Sequence, residues 1–283
     1  MRVGLVTPVV VQIPGSAAGW EAAAGPRDLI RVAQAAERLG YAHLTCSEHV
    51  AVPSEVAEQR GLVYWDPLAT LSFLAAHTSR IGLTTNVLVL GYHHPLALAK
   101  RYGTLDLLSG GRLILGVGVG TLRQEFDLLG APFEDRGDRA DDALRALRAA
   151  LSVRVPAYEG RYFGFSCLVV DPCATQDHVP IWVGGRTGRS LHRAVSLADG
   201  WMPTALSADQ CRQMLGRHEL PDGFEVVLGP GRPLDPLSDP GKAGAALERL
   251  TDAGATTINA SFSSRSPDHY VEQMEALMTL VRP

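Results

Sequence analysis

The sequence predicts a (β/α)8 TIM barrel with insertions, built as one catalytic domain over residues 1–283. Three observations predict it. Short β-branched runs alternate with longer stretches of helical period, eight strands can be counted, and no linker divides the chain. A length of 283 residues with 46% apolar residues suffices for one sizeable core.

Val3 to Thr7 reads as the first strand. Residues 8–26, rich in Gly, Ala and Pro, form a long loop suited to a lid or a wall. Asp28, Leu29, Val32, Ala33, Ala36 and Leu39 follow at helical spacing, with Gly40 as C-cap. Strand two runs over 42–47. The helix over 67–76 has Asp66 as N-cap and Pro67 in its first turn. Residues 81–90 are apolar with little alternation, as in a strand covered on both faces. The helix over 95–108 stops at Ser109-Gly110-Gly111, strand four spans 112–119, and 136–151 is strongly helical in period. Residues 158–170 read as an excursion holding a short hairpin. The remaining strands fall at 180–184, 200–203, 224–228 and 256–261, with helices near 190–198, 208–215, 242–253 and 270–281. Strands five to seven are weakly marked, which leaves an open doubly wound sheet as the alternative.

The formal net charge is −4 and Lys and Arg are scattered, so nothing steers the chain toward nucleic acid. Pro8 interrupts the first apolar run before a secretory core forms, and no apolar run of about 20 residues predicts a membrane span. Cys46, Cys167, Cys173 and Cys211 are too dispersed for a metal signature and read as thiols in the reducing cytoplasm. No histidine pair has one-turn helical ligand spacing, so no metal is expected.

In a barrel, polar residues at the carboxyl ends of the strands carry the chemistry. Glu48 and His49 close strand two, where an imidazole can serve as acid, base or hydrogen-bond donor, or the pair can simply cap the loop. Thr84, Thr85 and Asn86 interrupt an apolar strand and need partners in the interior or on a ligand. Gly91-Tyr92-His93-His94-Pro95 follows as that strand's loop. Gly116, Gly118 and Gly120 either let a flat ligand approach the backbone or serve tight packing. Their G-x-G-x-G spacing is not the dinucleotide fingerprint. Gly184 to Ser190 combines mobile amides, Arg186, Arg189 and a helix start, which suits an anion or a capped turn.

Taken in order, these blocks resemble the luciferase-like monooxygenase superfamily, and within it the oxidoreductases that use the deazaflavin coenzyme F420. The resemblance rests on Ser47-Glu48-His49-Val50, on residues 80–87, 94–100 and 104–112, and on Leu115 to Gly120. Glu125-Phe126, Arg136-Gly137, Pro180 to Gly185 and Ala198 to Pro203 complete it. It implies His49 near the reactive ring as the catalytic residue, with Glu48 contacting the cofactor. It implies cofactor-binding roles for Thr85, Asn86 and Val87, with Asn86-Val87 the step that is often a non-prolyl cis peptide. Gly118, Val119, Gly120 and Gln124 match the ring and ribityl side, and Gly184, Gly185 and Arg186 the phosphate side. Thr121 departs from the pattern, because sugar-phosphate oxidisers carry glutamate there and many relatives tryptophan. The proline-rich stretch before strand five survives only as Asp171 to Gln176, and 217–241 matches nothing.

The resemblance implies hydride transfer between coenzyme F420 and a small organic substrate. The alternatives are an FMN-dependent monooxygenase using reduced flavin and O2, and a barrel without redox activity that binds or serves a non-redox biosynthetic step. A flavin or F420 reductase as supplier of reduced cofactor, and a homodimer through helices 67–76 and 95–108, are further expectations.

Overall fold

Eight parallel strands close into a ring in the computed structural model, which describes residues 1–281. They are β1 (Arg2–Leu5), β2 (His43–Cys46), β3 (Gly82–Thr85), β4 (Leu113–Gly118), β5 (Ile181–Gly184), β6 (Gly200–Met202), β7 (Glu225–Leu228) and β8 (Thr257–Ala260). Each pairs with the next. Two pairings decide for a barrel over an open sheet: Ile181 lies opposite Leu115, joining β5 to β4, and Thr257 lies opposite Arg2, joining β8 to β1. A principal helix follows each strand: α1 (Pro26–Leu39), α2 (Pro67–His77), α3 (Pro95–Ser109), α4 (Arg136–Ala150), α5 (Gly188–Leu197), α6 (Ala208–Leu215), α7 (Pro240–Asp252) and α8 (Pro267–Val281). Among the described residues no helix is long and apolar enough to cross a membrane.

The helix limits follow from local chemistry. Asp28 accepts the Gly25 amide at the start of α1, and Gly40 ends it with φ +80°. Asp66 caps α2 through the Ala69 amide at 2.8 Å. The buried faces of α1 and α3 place Leu29, Val32, Leu98 and Leu105 in the layer between helices and barrel wall.

The barrel interior combines the apolar Trp182, Met202 and Val227 with the polar His43 and Asn259. Gly4 has no Cβ because the His43 ring occupies that space. His43 Nε2 lies 2.5 Å from Asn259 Oδ1, and its ring meets Trp182 edge-on at 5.2 Å. Complete burial outweighs the Asn259 hydrogen bond and lowers the His43 pKa to about 4, so the ring is neutral near pH 7.

Carboxylates fasten the amino ends of the strands. Glu37 accepts the amides of Ser79, Arg80 and Ile81 on the way into β3. Burial opposes its ionisation, but those amides and the Ser79 hydroxyl bring its pKa to about 2. Asp106 is fully buried and accepts from Leu113 N at the start of β4, from both Thr175 donors and from both Gln176 donors. Asp199 takes the Ile181 amide of β5 together with Arg148 and His178. The reduced segment before β5 is therefore an anchored strap.

One expectation needs correction. Residues 81–90 are not one strand: β3 stops at Thr85, the chain turns at Asn86-Val87, and only Leu88–Val89 rejoins β4. Loop 8–26, expected as a lid or a wall, is a wall. Its Val11–Gln12 pairs with Val63–Tyr64, buried Glu21 accepts the amides of Val9 and Ala18, and Trp20 donates to Ser264. Short helices Ser54–Arg60 and Arg123–Leu128 lie in loops whose periodicity is too brief to reveal them. The hairpin expected within 158–170 is Tyr158–Glu159 against Gly164–Phe165.

Candidate active site at the carboxyl ends of the strands

The loops after β2, β3 and β4 are tied into one cluster. Ser47 Oγ donates to Asn86 O at 2.6 Å, linking the first two. The Asn86-Val87 peptide is cis, as the resemblance implied. Beyond it, Val87 packs into the space a Cβ on Gly118 or Gly184 would fill, with its methyls 2.7 and 2.8 Å from those positions. A Cβ on Gly120 would meet Phe126 at 2.6 Å, and one on Gly116 the Thr85 carbonyl. These glycines thus let protein, above all the Val87 bulge, close on β4 and β5. Thr85 is fully buried and donates to Gly116 O at 2.7 Å, so its hydroxyl is committed to the wall.

Two buried carboxylates frame the mouth. Glu48 accepts Val89 N at 2.7 Å on one oxygen and faces His93 Nε2 at 2.7 Å with the other. It holds the loop after β3 against the end of β2. Glu125, 1% exposed, faces His49 Nδ1 at 2.7 Å and accepts the Tyr92 hydroxyl at 2.9 Å on the same oxygen. Its other oxygen takes the amides of Val50 and Ala51 at 2.7 and 3.2 Å. Burial alone would raise the Glu125 pKa, but the hydrogen bonds from His49, Tyr92 and Ala51 hold it below the usual range. His49 itself is half-buried, edge-on to Tyr64 at 4.5 Å, and its Nε2 has no partner among the described residues.

Asn86 keeps an uncommitted side-chain amide at this partly open end, and Val119 and Gly120 are also partly open. Gln124 is exposed one residue before Glu125. Thr121 accepts from Arg60 at 3.4 Å. Across the ring of strands, Gly185 adopts φ +118° and leads into α5. Thr187 and Ser190 cap each other there, while the first-turn amides of Gly188 and Arg189 keep no intrahelical acceptor. Arg189 turns away to Asp138 and Asp141; Arg186 is exposed with no acidic partner among the described residues. The uncommitted imidazole nitrogen, the Val87 wall and this amide-rich turn suit a flat ring bearing an anionic tail. Among the described residues no three His, Cys, Asp or Glu are placed to hold a metal.

Sequence reasoning overlooked the partnership of Glu125, Tyr92 and Tyr64 with His49. The sequence assigns Glu125 no role, because 76 residues separate it from His49.

The profile of the luciferase-like monooxygenase family matches residues 1–219. The chain belongs to that family. An uncharacterised protein of Mycobacterium tuberculosis is 28% identical over 267 residues, covering 89% of this chain and 90% of that protein. An F420-dependent secondary alcohol dehydrogenase in complex with an F420-acetone adduct superposes with TM-score 0.76 at 15% identity, over 100% of this chain and 99% of that one. A type II Baeyer-Villiger monooxygenase from Pseudomonas putida in complex with FMN does so with TM-score 0.74 at 16% identity, over 100% and 98%. The luciferase-like barrel therefore carries both deazaflavin-dependent oxidoreductases and flavin monooxygenases.

Proposed function

We propose that this luciferase-like protein is an F420-dependent oxidoreductase acting on a small organic substrate held at the barrel mouth. The observation that carries the reading is His49, whose Nε2 is uncommitted while Nδ1 is held by a buried carboxylate at 2.7 Å. That arrangement suits a proton taken up or released at a substrate oxygen or nitrogen, which must accompany net hydride transfer to or from a polar bond. The coenzyme, when bound, supplies the hydride acceptor or donor. Val87 would back its ring, Asn86 would offer its amide to the ring edge, and Arg186 with the first-turn amides of α5 would hold its phosphate. Glu48 contributes by fixing the loop after β3 through Val89 and His93. The wall formed by Val11–Gln12 and Val63–Tyr64 limits water at the same mouth.

Titration with coenzyme F420 and with FMN tests the reading directly. Saturable binding of the deazaflavin is expected, with turnover lowered about 100-fold or more in His49→Ala. Tight FMN binding without deazaflavin binding would instead establish the monooxygenase alternative.

A further inference from the structure

The polar atoms around Glu125 constrain more than its position. Its Oε1 receives two backbone N–H groups, from Val50 and Ala51, which can only donate. Its Oε2 receives the Tyr92 hydroxyl and lies 2.7 Å from His49 Nδ1. The side chain is 1% exposed, so no water shell supplies alternative partners. Surrounded by donors, the group is held as an acceptor-only carboxylate, and the proton between it and His49 belongs to the imidazole.

We infer that Glu125 is a positioning residue that fixes neutral His49 as its Nδ1–H tautomer, leaving the Nε2 lone pair for the barrel mouth. A second proton then enters and leaves the ring only at Nε2, the nitrogen with no protein partner among the described residues. The carboxylate also selects the rotamer, since the ring is confined between Glu125 and the edge of Tyr64 at 4.5 Å. The same oxygens bind segment 50–51 and Tyr92, so tautomer, ring plane and the two neighbouring loops are set by one buried group. The link from this tautomer to turnover rests on the oxidoreductase reading; the tautomer itself does not.

An isosteric change separates this role from simple scaffolding. In Glu125→Gln the amide oxygen must stay toward the Val50 and Ala51 amides, because an NH2 there would oppose two donors. The NH2 then faces His49 Nδ1 and donates to it, which moves the imidazole proton to Nε2. Shape is preserved while the tautomer inverts. A residue that merely ties the loops together would leave the tautomer as it was.

The measurement is long-range proton–nitrogen NMR on coenzyme-free, 15N-histidine-labelled protein at about pH 8, above the ordinary imidazole range. The His49 signals are identified by their loss in His49→Ala. The expected result is an Nδ1–H ring in the wild type and in Tyr92→Phe, and an Nε2–H ring in Glu125→Gln. An Nε2–H ring in the wild type would overturn the inference, and this decides even if Glu125→Gln does not fold. The same tautomer in wild type and folded Glu125→Gln would also overturn it. With coenzyme and substrate added, the inverted variant should lose about 100-fold in kcat with little change in coenzyme affinity. Full turnover with an inverted tautomer would remove the positioning role and leave the deazaflavin reading standing. Absence of deazaflavin binding would remove that reading and leave the tautomer result standing.

Discussion

The two ends of this barrel use carboxylates differently: Asp106, Glu48 and Glu125 are buried, while Glu37 and Asp199 are half-buried. At the amino ends, Glu37, Asp106 and Asp199 mostly grip backbone amides and fixed side-chain donors that feed β3, β4 and β5. At the carboxyl ends, Glu48 and Glu125 grip the same kind of amide with one oxygen and an imidazole with the other. The first group fixes the frame of the barrel, and the second fixes imidazoles at the mouth where the proposed reaction would take place.

The largest expected effect lies at the amino end. Asp106→Ala removes the fully buried acceptor of five hydrogen bonds and should cost about 3–5 kcal/mol in chemical denaturation. The His49 tautomer should stay unchanged in any fraction that remains folded. If it changed, the two ends would not be independent.

His43 offers a test by pH. The unfolded chain takes up a proton near the ordinary value of 6.5, the folded chain only near 4, so the buried neutral ring stabilises the fold above 6.5. That contribution should fall away as pH drops from 6.5 to 4, by at most about 3 kcal/mol. Urea denaturation of wild type and His43→Leu across this window should show a steeper loss in the wild type; parallel curves would contradict the buried neutral state.

The smallest effect is expected at Glu48. Glu48→Gln keeps its size and one good acceptor, so stability should fall by about 1–2 kcal/mol, less than for Asp106→Ala. A loss equal to that of Asp106→Ala would erase the distinction between the two ends.

Local signals made most of the frame legible. Asp66-Pro67, Gly40 and Gly110-Gly111 mark helix limits through caps and left-handed turns that depend on neighbours a few residues away. The ordered blocks placed His49 and the cis Asn86-Val87 step at one site. The glycines of β4 and β5 were visible, but not what fills the space beside them, since Val87 reaches Gly118 and Gly184 from the turn after β3. The short helices 54–60 and 123–128 were too brief to show a period.

By itself, then, the sequence determined the alternation of eight strands and helices, because periodicity and capping are written over a few residues each. It also determined that an imidazole stands at the end of β2. Only the tertiary structure decided that the strands close, through β4–β5 and β8–β1, and that His49 answers to Glu125 and Tyr92. The physical reason is separation along the chain: a hydrogen bond between residues 49 and 125 leaves no periodic trace in either segment, and exists only once packing brings their loops together.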